Sequence, residues 1–346
     1  MRSAVFETVK VCIQLISSIL AILLNSFLIY IIITKSPKKM GNYRSLMCLF
    51  CGISILFAAL DLIVRPNIYS RGSAFFMMTD LRGSYLSRDV AQLLIWALCG
   101  CCGSTIYGIA VHFVYRFFAL ERQGRLRYFK GAYQIIWFSI PIIGGLNWSF
   151  ICCYFFPMSP QSSEYLEPII KDNFNISVSQ VSYSGAVFWP TGEIRLPDFN
   201  WRHGLGFLNC IVLMQISFFV IIIMGAKSRI KIKELLKQGE SKYSRELQIQ
   251  LYKALVVQTL IPVLFIFIPF GILFTCPLFM INCEFLSAPL TIIYAIYPAL
   301  DPLPILFYID IYRNATREIF CSKCKSNRVD VFTVGNESRN STDNSI

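Results

Sequence analysis

Apolar residues fall in seven long runs, at 11–33, 45–64, 91–115, 132–156, 204–226, 254–276 and 288–308. A helix needs about 20 predominantly apolar residues to cross the hydrocarbon core while satisfying its own backbone hydrogen bonds, and each run is that long. The pattern predicts an all-α membrane protein, a bundle of seven transmembrane helices spanning residues 1–308. A tail follows at 309–346, rich in Ser and Asn and expected to be disordered from about 326. The first run is too long for the core of a cleaved leader and reads as a span.

Composition agrees. Of 346 residues, 55% are hydrophobic and 15% charged, against about 25% charged in ordinary globular proteins. The formal charge of +12 first admits nucleic acid or an anionic membrane as a partner. Position decides between them. The segments at 35–44, 116–130, 227–253 and the tail carry 23 Lys and Arg, whereas the N-terminus and the segments at 65–90, 157–203 and 277–287 carry nine. Basic segments stay on the cytoplasmic side, so the N-terminus is expected outside and the tail inside. The charge then reads as an orientation signal and a basic face for anionic lipid, with no nucleic acid involved.

Catalytic and metal chemistry find little footing. The two histidines, His112 and His203, form no cluster with metal-ligand spacing, and no phosphate loop or nucleophile elbow is present. No cofactor is expected. Of 13 cysteines most lie inside spans, where cysteine acts as a small packing residue. Cys276 and Cys283 flank an expected outer turn and could form a disulfide; Cys321 and Cys324, beside Lys323 and Lys325, could be palmitoylated. Asn175 heads the Asn-Ile-Ser sequon of the long outer segment and is the expected glycosylation site.

The spans contain two acids. Asp61 lies one turn from the end of the second, with Arg65 four residues on, which favours an ion pair over a pocket lining. Asp301 sits in Tyr297-Pro298-Ala299-Leu300-Asp301-Pro302-Leu303-Pro304, where three prolines break the helical ladder. Pro262 and Pro269 let the sixth span bend. Arg116 ends the third span, whose Gly100, Gly103 and Gly108 let neighbours approach closely. Trp96, Asn209 and Tyr294, with Asp61, are candidate pocket residues. The fifth span continues into a basic stretch carrying Ile232, Leu235 and Leu236 at helical spacing, suited to anionic lipid or a partner helix.

From the first span to the start of the tail, the chain resembles the nematode Str-class seven-transmembrane chemoreceptors, a family that includes a receptor for the volatile ketone diacetyl. The resemblance rests on Leu24-Asn25-Ser26-Phe27, Lys35-Ser36-Pro37-Lys38-Lys39-Met40-Gly41-Asn42-Tyr43, His112-Phe113-Val114-Tyr115-Arg116-Phe117, Gln250-Leu251-Tyr252-Lys253 running to Pro262, and the Tyr297 to Pro304 stretch. It implies a G-protein-coupled olfactory receptor, not an enzyme, in the plasma membrane of a sensory cilium, taking a small odorant and a heterotrimeric G protein as partners. It also implies that Tyr115 and Arg116, with Pro298 and Asp301, are similar by position to the switches of rhodopsin-like receptors. Two departures limit the analogy: no acid precedes Arg116, and the 157–203 segment has no cysteine for a disulfide to the third helix. A ligand-gated cation channel and a small-solute transporter are the alternatives. Missing internal repeats count against the transporter.

Overall fold

The computed structural model describes residues 4–37, 40–121, 129, 131–237 and 242–320. In chain order the helices are α1 (Ala4–Lys35), α2 (Tyr43–Val64), α3 (Arg88–Leu120), α4 (Tyr133–Phe155), α5 (Pro160–Phe174), α6 (Trp201–Lys237), α7 (Lys242–Pro262), α8 (Ile268–Thr275), α9 (Ser287–Leu300), α10 (Leu303–Tyr308) and α11 (Asp310–Phe320). Three strands join them: β1 (Asn67–Arg71), β2 (Ala74–Asp80) and β3 (Val181–Val187).

Six rods are long and apolar enough to cross a membrane: α1, α2, α3, α4, α6, and the composite of α7, a π turn at Val263–Phe267, and α8. A shorter apolar seventh, α9 continued by α10, is interrupted at Asp301 and Pro302. The protein is a multi-pass membrane protein. Helix α1 runs well past the expected start of its span, and α6 carries the fifth span on to Lys237.

Close approach of α3 and α4 follows from glycine. A Cβ on Gly100 would stand 2.8 Å from the carbonyl oxygen of Gly145, and one on Gly145 would stand 2.8 Å from that of Gly100, so neither tolerates a side chain. The small residues read in the third span thus serve its contact with α4.

At one end of the helical bundle the chain also forms strands that the sequence pattern does not mark. There the strands form an antiparallel sheet in the order β1-β2-β3, with Tyr69 opposite Phe76 and Phe76 opposite Gly185. Gly72, at φ 59°, and Ser73 make the two-residue turn between β1 and β2, where glycine accepts the positive φ. Both faces of the sheet are buried. Ile68, Phe75, Met77 and Ala186 pack onto the bundle, while Tyr69, Phe76, Met78, Val181 and Tyr183 pack under α5. Helix α5 starts with Ser159 accepting from Ser162 N and with Pro160 in its first turn. The 157–203 segment is therefore a layer of helix and strand that caps this end of the bundle.

Candidate functional site

At the end opposite the sheet, Arg116 on α3 is buried. Its Nη2 donates to the side-chain oxygen of Gln248 on α7 at 2.6 Å and to the Gln248 carbonyl at 3.2 Å. Its guanidinium also lies 5.2 Å from the ring centre of Tyr43 on α2. Tyr43 stacks on Tyr115, with ring centres 5.0 Å apart, and Tyr115 packs edge-on against Phe129. Among the described residues Arg116 has no carboxylate partner, so glutamine and an aromatic face take the place of an acid.

Deeper in the bundle, Asp301 is 1% exposed and fully partnered. Gln258 Nε2 on α7 donates to Oδ1 at 3.0 Å and to the Asp301 carbonyl at 3.2 Å, the Tyr297 hydroxyl donates to Oδ1 at 3.3 Å, and Ser54 on α2 donates to Oδ2 at 2.9 Å. Pro298 leaves the Tyr294 carbonyl without its ladder donor; its own carbonyl accepts from Asn25 Nδ2 of α1 at 3.0 Å. The prolines thus open a helix whose polar groups are taken up by α1, α2 and α7.

A third contact lies at the end of the rod. Gln250 Nε2 donates to Asp310 Oδ2 at 2.5 Å, and the Asp310 N–H donates back to Gln250 Oε1 at 3.0 Å, tying α7 to α11. Tyr312 of α11 is buried and shares a 2.7 Å hydrogen bond with Ser36; burial holds its phenol above the ordinary value, partly offset by Ser36. Three glutamines on one helix therefore fasten it at three depths. Sequence reasoning passed over Gln248 and Gln258, because an amide lacks a formal charge, although polar residues at a span's end carry the relevant signal.

Beyond Pro262 the rod changes pitch. The π turn separates α7 from α8, with Pro262 just before it and Pro269 just after it. On the far side of this turn, Phe270 and Phe274 line a small, partly open cavity of about 40 Å³. Its roof is the sheet, through Phe75, Met77, Ser184, Gly185 and Ala186; its walls are Cys99 of α3, Trp148 and Cys152 of α4, Phe156, and Cys210 of α6. No charged side chain lines it. The Ser184 hydroxyl is already committed to the Phe156 carbonyl at 3.0 Å. Such a lining accepts a small uncharged apolar molecule and disfavours ions.

None of the four pocket residues suggested by the sequence lines this cavity. Asn209 is exposed on the outer face of α6 and donates to the Leu205 carbonyl; the neighbouring Cys210 points inward instead. Tyr294 is buried one layer away, accepting from Cys102 Sγ at 3.2 Å, and Trp96 touches α4 through its carbonyl, which accepts from Ser149. The expected Asp61–Arg65 pair is absent. Arg65 ends α2 in the left-handed region, at φ 48°, so it leaves helical spacing and points its exposed side chain at the Leu62 carbonyl.

The Cys276 and Cys283 sulfurs face each other at 2.9 Å as thiols. Asn175 is exposed at the sheet end, just past α5. Cys321 and Cys324, with the tail, lie outside the described residues.

This arrangement is a helical membrane bundle roofed at one end by a sheet and fastened by polar contacts at the other. Comparison with known proteins agrees: residues 10–317 match the profile of the serpentine type 7TM GPCR chemoreceptor Str. Serpentine receptor class r-10 of Caenorhabditis briggsae is 30% identical over 309 residues, covering 88% of this chain and 86% of that protein. G-protein coupled receptor str-217 of Caenorhabditis elegans is 30% identical over 304 residues, covering 87% and 86%. G-protein coupled receptor str-33 of the same nematode is 24% identical over 322 residues, covering 91% of each. The chain belongs to the Str family of serpentine chemoreceptors, and it is a GPCR-like chemosensory receptor.

Proposed function

We propose that the protein is an olfactory receptor of the ciliary plasma membrane that binds a small, uncharged odorant beneath the sheet and activates a heterotrimeric G protein at the opposite, cytoplasmic end. One observation carries this reading. A single rod lines the cavity through Phe270 and Phe274, changes pitch at the π turn, and is fastened beyond it through Gln258, Gln250 and Gln248. A ligand that fits the cavity better when α8 is displaced shifts the rod by as much as its preference between the two states. Release of Gln248 then uncovers Arg116 beside the basic segment of α6, where Lys227 and Arg229 project.

Asn175, exposed on the sheet end, is the glycosylation site in this reading, Cys276 and Cys283 close a disulfide in the oxidising exterior, and Cys321 and Cys324 anchor the tail by palmitoylation. The basic end of α6 rests on anionic lipid. The test is a calcium or cAMP readout in cells bearing the full chain, challenged with a panel of small volatile compounds. An agonist response that is lost in Arg116→Ala at unchanged surface expression supports the reading; retained signalling removes Arg116 from the switch.

A further inference from the structure

Helix α1 turns one continuous polar face into the protein. Lys10, Gln14, Ser18, Ala21 and Asn25 follow at intervals of four, four, three and four residues, so they share one side of the helix, and each is at most 2% exposed. The register against α2 and α9 is fixed by Ala21, Ala58 and Ala299, which pack together. Counting from that contact toward the sheet, Ser18 lies three residues along α1 and Asp61 three residues along α2, and Gln14 lies one further turn along α1.

These side chains are unpartnered. Both carboxyl oxygens of Asp61, the oxygen and nitrogen of the Gln14 amide, and the Ser18 hydroxyl are buried without a hydrogen-bond partner among the described residues. Burying such groups unmade is costly, most of all for a carboxylate. Lys10, the charge whose field reaches Asp61, is already committed: its Nζ lies 2.7 Å from Glu7 Oε2 and 2.8 Å from Asn67 Oδ1. Lys10 is thereby shared with Glu7, and Asp61 has no ion-pair partner of its own among the described residues. Arg65 points away to the Leu62 carbonyl, and the other neighbours, Cys102 and Tyr294, are neutral.

We propose that Asp61, Gln14 and Ser18 form a binding site for a small monovalent cation. Four oxygen atoms on two helices supply hard donors of the kind an alkali cation takes, and the single negative charge of the Asp61 carboxylate matches a single positive one. A primary ammonium group presents the same charge with N–H donors to the same oxygens. This site is separate from the apolar cavity under the sheet and does not depend on G-protein coupling.

The test is the thermal unfolding of the full chain in lipid nanodiscs at constant ionic strength, with sodium, potassium, methylammonium or N-methylglucamine as the cation. Sodium or potassium is expected to raise the midpoint by a few degrees over bulky N-methylglucamine if the occupant is an inorganic ion; a rise with methylammonium alone assigns the site to an amine-bearing ligand. Either rise is lost in Asp61→Asn, reduced in Gln14→Leu, and kept in Arg65→Gln. If Asp61→Asn does not fold, Gln14→Leu and Ser18→Ala carry the comparison. Equal midpoints in all four salts, or a rise undiminished in the variants, overturn the proposal.

Discussion

The two ends of the bundle are closed by different kinds of contact. At one end a backbone ladder of three strands is sandwiched between α5 and the bundle, with large apolar side chains buried on both faces. At the other, α7 is fastened by amide side chains: Gln258 to Asp301, Gln250 to Asp310, Gln248 to Arg116. Apolar burial on the scale of the sheet is worth several kcal/mol per large side chain and is lost all at once when packing fails. A hydrogen bond contributes a net of about 1 kcal/mol, or about 1.5–3 kcal/mol when one partner is charged. In the proposed mechanism the sheet end stays closed, and a ligand whose preference amounts to a few kcal/mol releases the glutamine end.

This contrast can be attacked from either side. The largest effect belongs to the roof. Phe76→Ala should remove about 3–5 kcal/mol of packing between the sheet and α5, and surface expression and thermal midpoint should both fall sharply. Gly185→Val should act alike, because a side chain there collides with Phe76. If these variants fold normally yet signal without ligand, the roof is part of the switch and the contrast fails.

Next comes Asp301→Ala. It strands the Gln258, Tyr297 and Ser54 donors, each at about 1–3 kcal/mol if left unmet, so thermal stability should drop markedly while Asp301→Asn, which keeps an acceptor, drops less. A smaller and different effect is expected from Gln248→Ala. Loss of a charge-assisted hydrogen bond of about 1.5–3 kcal/mol should raise ligand-free signalling roughly tenfold or more, with little change in expression. Gln250→Ala, whose partner Asp310 is half-exposed, should raise basal signalling by a few-fold at most. A ranking with Gln250 above Gln248 would place the main restraint at α11 rather than at Arg116.

Long-range order was readable from apolar run length, because each membrane helix satisfies its own backbone and needs no partner to be recognised. The breaks in the helical ladder near Pro262, Pro269 and Pro298 were equally visible, since proline removes a donor wherever it falls. The sheet was not. Its strands are short, buried on both faces and split between two segments 100 residues apart, so only the Gly72-Ser73 turn between apolar runs marked the hairpin, and nothing local marked β3. Arg116 and Asp301 stood out as charged groups in or beside spans. Their partners Gln248, Gln258 and Ser54 did not, because which neutral polar residue meets a charge depends on helix rotation. The same limit explains Asn209, one position away from the inward-facing Cys210.

The central claim is that α7 is restrained at rest by its glutamines and moves about the π turn when they let go. Paired labels introduced at positions 35 and 246, on α1 and α7, report the separation of these helix ends by double electron–electron resonance. Gln248→Ala combined with Gln250→Ala should add a longer-distance population absent from the parent receptor, and an agonist should enlarge the same population without the substitutions. A distance distribution identical in parent and double variant would contradict the account.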